Sequence, residues 1–248
     1  MKATAATALS VVAVPGVTRG VDLPGRMSAG PKALKAKRWG MVVDMRRCKE
    51  DCAGYCIAAC HAIHNVPFIP ADDHKVMWLF IEPYENAFPD QSHGLVGKGS
   101  ARRKFLLMCN HCNDPPCVRA CPTQATFKRE EDGIVMIDYH RCIGCRFCMA
   151  ACPYGSRSFN FRDPRPFVKK ITPDYPTRRK GVVEKCNFCQ ERLEVGQLPA
   201  CVEACKEGVL TFGDLNDPAS KVSRILAEKP HMRRKPDLGT GPSVFYLI

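Results

Sequence analysis

Cys142, Cys145, Cys148 and Cys152 form a compact run that closes on Pro153. Three thiolates spaced Cys-x2-Cys-x2-Cys on one tight loop can reach three irons of a single 4Fe-4S cube, whereas a cysteine placed x3 further along points away from that cube. The spacing Cys-x2-Cys-x2-Cys-x3-Cys-Pro therefore predicts one 4Fe-4S cluster and, through Cys152, a second one nearby. Gly144 suits a loop whose backbone must approach inorganic sulfide, and Pro153 ends the short helical turn that carries Cys152. Disulfides or a zinc site are the alternatives, but zinc motifs use their ligands as two separated pairs.

The chain holds sixteen cysteines in 248 residues, and they fall into four groups of four with none left over. A disulfide scaffold is the reading for a much shorter chain; here the count predicts four 4Fe-4S clusters. The second group, Cys109, Cys112, Cys117 and Cys121, has gaps of two, four and three and also ends in proline, Pro122. In the fourth group, Cys186, Cys189, Cys201 and Cys205, the middle gap widens to eleven. The first group, Cys48, Cys52, Cys56 and Cys60, has three residues in every gap, a spacing that would also line four thiols along one helical face. Its cluster loop would have to bulge.

The formal charge of +12 invites a nucleic-acid or anionic-surface reading. An oxidised cube with four thiolates carries roughly two negative charges, so four of them would bring the loaded protein to roughly +4. The triplets Arg102-Arg103-Lys104, Arg178-Arg179-Lys180 and Arg233-Arg234-Lys235 are read as solvated or cluster-facing, and none lies in a nucleic-acid-binding motif. His61, His64, His74 and His93 are read as surface or capping residues, since no haem-attachment Cys-x-x-Cys-His is present. The sequence has no nucleophile and base pair, no phosphate-cradling glycine loop and no nicotinamide fingerprint, so no small-molecule substrate is expected on this chain.

The elements that must position these cysteines repeat. Met41 to Cys48 and Val135 to Cys142 read as the same unit, a strand delivering the first cysteine of a group. Cys109-Asn110-His111-Cys112 with Cys117 to Cys121 likewise corresponds to Cys186-Asn187-Phe188-Cys189 with Cys201 to Cys205, followed by Ala125-Thr126-Phe127 and Leu210-Thr211-Phe212. The chain is thus read as an internal duplication with copies at about 39–128 and 133–213. Residues 38–128 form a first unit interrupted by a docking insertion at 61–104 with a strand at Val76 to Ile81, and 129–215 form a second unit. Glu130 to Gly133 make a hairpin turn between Thr126-Phe127-Lys128 and Ile134 to Ile137, and a short helix follows Gln190. Asp217-Pro218 are read as the cap and first position of a helix whose apolar face is Val222, Ile225 and Leu226, with 229–248 as an extended wrapping tail. Residues 1–37 comprise Ala3 to Val14, an apolar run of signal-peptide length, and a Gly/Pro/Lys-rich linker. Only Lys2 precedes that run, which fits the interior of a twin-arginine export signal whose start lies upstream; a tail without structure is the alternative.

Four cysteine groups in this order resemble the four-cluster ferredoxin-like electron-transfer subunits of bacterial respiratory complexes, such as those of dimethyl sulfoxide reductase, formate dehydrogenase and polysulfide reductase, and the nitrite reductase accessory ferredoxins. The resemblance covers about residues 38–215. It implies an α+β fold of two interleaved ferredoxin-like modules with exchanged fourth ligands. Carried over, Cys142, Cys145 and Cys148 would share a cluster with Cys121, and Cys109, Cys112 and Cys117 with Cys152. Likewise Cys48, Cys52 and Cys56 would go with Cys205, and Cys186, Cys189 and Cys201 with Cys60. His61 to Pro67, Gly181 to Cys189 and Gly213 to Pro218 look more narrowly like the periplasmic iron-sulfur subunit of the transmembrane complex linked to dissimilatory sulfite reductase. That likeness implies a quinone-interacting integral membrane subunit, a multihaem cytochrome c and further iron-sulfur subunits as partners, and a periplasmic location against the inner membrane. The electron-transfer subunit of a molybdopterin oxidoreductase is the alternative.

Overall fold

The structure is a computed structural model that describes residues 30–48, 53–91 and 103–247. The signal-like run, Cys52, His93 and Arg102 lie outside the described residues. The fold mixes short helices with small sheets, and its centre is β1 (Trp39–Val43), buried along its whole length. Burial on both faces explains why this segment is continuously apolar rather than alternating. Trp39, Met41 and Val43 enter the main core, and Val42 enters a second apolar cluster on the opposite face.

Two long helical or extended segments follow. α1 (Ala53–Ile63) carries Cys56 and Cys60 one turn apart, both buried. The helical reading of the first group's spacing is therefore the one realised over its second half. β2 (Leu79–Pro83) then runs into α2 (Tyr84–Ala87) and pairs antiparallel with β3 (Lys104–Met108), Leu79 opposite Met108. The strand expected at Val76 to Ile81 thus starts three residues later. Trp78 and Phe88 are both buried, so the described part of the insertion builds core rather than only surface.

Further along, α3 (Pro116–Arg119), α4 (Phe147–Ala150) and α6 (Ala200–Glu203) each carry the third cysteine of a group and stop just before the fourth. Between the first two lies the expected hairpin: β4 (Thr126–Lys128) pairs with β5 (Val135–Ile137), Thr126 opposite Ile137. Gly133 makes its turn at φ +76°, a conformation that L side chains rarely adopt. β6 (Ser158–Phe159) pairs with β7 (Val183–Glu184), and the short helix expected after Gln190 is α5 (Gln190–Leu193).

β8 (Leu210–Asp214) lies antiparallel to β1, Met41 opposite Phe212. α7 (Lys221–Glu228) packs Val222, with Ile225 and Leu226, against Val42 and Leu247, as the apolar spacing requires. Its cap is Ser220, whose hydroxyl accepts from the Ser223 N–H at 3.1 Å, and not Asp217. Asp217 Oδ1 instead accepts from the Ala219 N–H at 2.9 Å, a local turn that places Pro218 ahead of the helix. The C-terminal segment does more than wrap. β9 (His231–Met232) and β10 (Val244–Leu247) complete a four-stranded sheet of order β8-β1-β10-β9, with β10 parallel to β1 and Met41 opposite Val244. Val244, Tyr246 and Leu247 are buried there, and that burial drives the strand into the sheet.

Candidate metal-cluster sites

Cys109, Cys112 and Cys117 line one cavity together with Cys152, which comes from the third group. Val135, Tyr154 and Arg157 also line it. A second cavity is lined by Cys142, Cys145 and Cys148 with Cys121 from the second group, and by Thr126, Gly144 and Val183. Each cavity gathers three thiols from one loop and the fourth from the other.

The Cys60 thiol gathers with those of the fourth group. Burial pushes the Cys60 thiol well above its ordinary value, and Cys189, Cys186 and Cys201 add to the shift by their proximity. Cys201 in turn feels Cys186 and Cys56, because α1 packs along α6. The Cys205 sulfur accepts from the Val209 N–H at 3.1 Å. Cys48, Cys56 and Cys205 are the other described thiols, and Cys52 lies outside the described residues.

The donor set fits iron-sulfur clusters. Cys112 and Cys186 are each pushed up to about 12 by burial, a cost that coordination removes because a metal-bound thiol is deprotonated outright. Backbone N–H groups already point at sulfurs: Thr126 at Cys121 and Phe188 at Cys186, both 3.4 Å. At Cys121 burial raises the thiol, but hydrogen bonds led by that of Thr126 outweigh it and leave it below its usual value. The loops also curl tightly. Gly144 has φ +72°, and a Cβ there would lie 2.3 Å from the Gly181 carbonyl. His111, Arg146, Phe188 and Cys189 are held at positive φ without being glycine, a strain that clusters at functional sites.

The sets follow one another in a row. Cys186 feels Cys109, which joins the Cys60 set to the Cys152 set. His111 and Phe188, equivalent positions in Cys-Asn-His-Cys and Cys-Asn-Phe-Cys, stack at 3.7 Å between those two sets. Cys117 and Cys148 share an apolar cluster with Val135 and Val183, which joins the Cys152 set to the Cys121 set. At the two ends of the row, Cys48 and Cys205, and Cys142 and Cys145, are only half-buried. Ile143 and Phe147 stand 67% and 61% exposed beside one end, and Tyr55, with Lys206 Nζ 4.5 Å from its ring centre, beside the other.

Several polar residues at these sites depart from the sequence reading. His64 is not at the surface but buried, where it caps the end of α1: its Nδ1 lies 2.8 Å from the Cys60 carbonyl and its Nε2 2.8 Å from Glu191 Oε1, with the Trp78 ring tilted against it at 4.5 Å. Arg178 is neither solvated nor cluster-facing but fully buried, its Nη2 2.6 Å from Glu184 Oε2. Arg234 is likewise buried and donates to the Ala87 carbonyl at 2.7 Å. Arg157 and Lys185, both buried beside the thiols, were not singled out at all. A charged residue immediately before or shortly after a ligand cysteine was the available signal, but only packing tells a buried cation from a solvated one. No helix among the described residues is long and apolar enough to cross a membrane.

The 4Fe-4S dicluster domain family matches residues 104–165 and 166–215. The chain is 41% identical over 239 residues to Hdr-like menaquinol oxidoreductase iron-sulfur subunit 1 of Archaeoglobus fulgidus, covering 87% of this chain and 86% of the relative. It is 37% identical over 240 residues to the menaquinone reductase iron-sulfur cluster-binding subunit of Nitratidesulfovibrio vulgaris, covering 87% and 90%. A putative iron-sulfur subunit of dimethyl sulfoxide reductase from Halobacterium salinarum is 39% identical over 209 residues, covering 84% and 78%.

Proposed function

The chain belongs to the 4Fe-4S dicluster family of oxidoreductase iron-sulfur subunits, and from that premise we propose that it is a four-cluster electron wire between a quinone-interacting membrane subunit and a partner redox centre. The observation that carries this reading is the row of thiol sets, whose two inner members have every thiol but Cys152 buried, while Cys48 and Cys205 at one end and Cys121, Cys142 and Cys145 at the other are half-buried. Cys142, Cys145, Cys148 and Cys121 hold one cluster; Cys109, Cys112, Cys117 and Cys152 the next. Cys186, Cys189, Cys201 and Cys60 hold the third, and Cys48, Cys52, Cys56 and Cys205 the fourth. The pairing of β1 with β8 and of β4 with β5 supports two interleaved modules, since each pair joins the start of one repeat to the end of the other.

A bound 4Fe-4S cluster supplies a one-electron carrier. The protein spaces the carriers, excludes water from the inner two, and donates backbone N–H groups to sulfurs, which raises potentials. Quinone as the membrane partner's substrate is supported by the names of the first two relatives above. Within this class, the complex linked to dissimilatory sulfite reductase, with a multihaem cytochrome c and a periplasmic site reached by folded export, is supported by the strings His61 to Pro67 and Gly213 to Pro218 and by the signal-like run. The relative from Halobacterium salinarum favours a second reading, the electron-transfer chain of a molybdopterin oxidoreductase.

Anaerobic purification of the tagged native protein from solubilised membranes tests this. About sixteen irons per chain, with a quinone-site membrane protein and a multihaem cytochrome c, are expected. A large molybdopterin subunit instead moves the assignment to the second reading, and about eight irons or fewer refutes four clusters. Paired arginines in phase upstream of Met1 are expected in the gene; their absence refutes the export signal.

A further inference from the structure

Arg157 is 5% exposed, and among the described residues it forms no salt bridge. Its Nη1 donates to Thr126 Oγ1 at 3.3 Å, while Nη2 is buried with no hydrogen-bond partner. The side chain lines the cavity of Cys109, Cys112, Cys117 and Cys152, and the Thr126 that anchors it lines the cavity of Cys121, Cys142, Cys145 and Cys148. The guanidinium thus sits in the partition between the two thiol sets. A second buried guanidinium, Arg178, has Glu184 as its counter-ion, and a third, Arg234, is held by the Ala87 carbonyl. A buried cation without a carboxylate is strongly destabilising unless other anions face it. Besides its burial, the groups acting on Arg157 are sulfurs of both sets, Cys117 and Cys148 first, then Cys109 and Cys152, which are negative as metal-bound thiolates.

We propose that Arg157 is a shared counter-ion for two neighbouring clusters, one guanidinium that raises both reduction potentials together. The inference rests on the ligand sets proposed above. Its physics is direct: reduction adds one negative charge to either side of a fixed positive charge at low dielectric, so the cation stabilises the electron on both sides. One electron leaves one cluster and arrives on the other, no bond is made or broken, and no proton is required. Arg157 is therefore a positioning and tuning residue.

The test is an EPR-monitored redox titration of the purified complex, wild type against Arg157→Gln and Arg157→Lys, with iron and sulfide quantified first. In Arg157→Gln, two of the clusters should each become at least tenfold harder to reduce, a fall of about 59 mV or more, while the others stay within about twofold. In Arg157→Lys, a single ammonium cannot fork toward both sets, so one of the two should stay within about twofold and its neighbour should fall. If Arg157→Gln fails to assemble, Arg157→Lys decides alone, and unchanged potentials for both clusters overturn the proposal. A shift confined to one cluster in Arg157→Gln overturns the shared role. A wild-type protein without clusters at these two sets sinks the ligand assignment itself, a result separable from unchanged potentials in loaded protein.

Discussion

Glu184 and Arg178 face each other with both side chains fully buried, and Trp78 Nε1 donates to the same carboxylate oxygen at 2.8 Å. Arg178 also donates to the Asn65 carbonyl at 2.9 Å, which ties the loop after α1 to β7. Removing one partner leaves the other charge buried and alone, which costs about 3–5 kcal/mol. Glu184→Gln is therefore expected to lower the Tm of the loaded protein sharply, while Asp163→Asn, which breaks an exposed pair with Arg165, leaves it unchanged. Equal Tm values for the two variants, by calorimetry, would refute the structural role assigned to Glu184. At this scale the cysteines were legible because their chemistry fixes both residue type and spacing. Arg178, His64 and Arg157 were not, because an arginine or histidine has the same letter whether it is solvated or sealed in the core.

Among the elements, α7 shows what local sequence can and cannot place. Its apolar face was legible from spacing, since Val222, Ile225 and Leu226 recur with the helical period. Its start was not, because Asp217 and Ser220 are both good caps, and the choice fell to Ser220, whose hydroxyl also donates to the Asp214 carbonyl at 2.5 Å. That second bond ties the helix to the end of β8. Ser220→Ala should cost about 1 kcal/mol, read as a lower midpoint in thermal unfolding. Asp217→Ala should cost clearly less; the reverse order would return the cap to Asp217. α1 makes a similar point, because regular three-residue gaps fit a helix and a cluster loop alike, and packing against α6 chose the helix for Cys56 and Cys60.

For the whole molecule, the largest departure is the C-terminal segment. β10 lies between β1 and β9, and Tyr246 is fully buried, its hydroxyl donating to the Leu106 carbonyl at 3.1 Å. The segment beyond the last cysteine group thus holds the two-stranded β2–β3 sheet to the central one. Tyr246→Ala is expected to cost about 3–5 kcal/mol and to lower Tm without changing the iron content of the protein that remains folded. Loss of a cluster at full thermal stability would contradict that division of labour.

The sequence by itself determined the number of thiols, their grouping, the hairpin after Lys128 and the strands that deliver Cys48 and Cys142, because metal-ligand spacing, turn chemistry and apolar runs are all properties of neighbours along the chain. Packing alone settled which cations are buried, that β10 enters the central sheet beside β1, and that Cys152 and Cys121 each line the cavity of the other group. Those outcomes depend on which distant surfaces exclude water from one another. An apolar strand such as Val244 to Leu247 encodes its need for a partner but not the partner's identity, which is settled when the whole core packs.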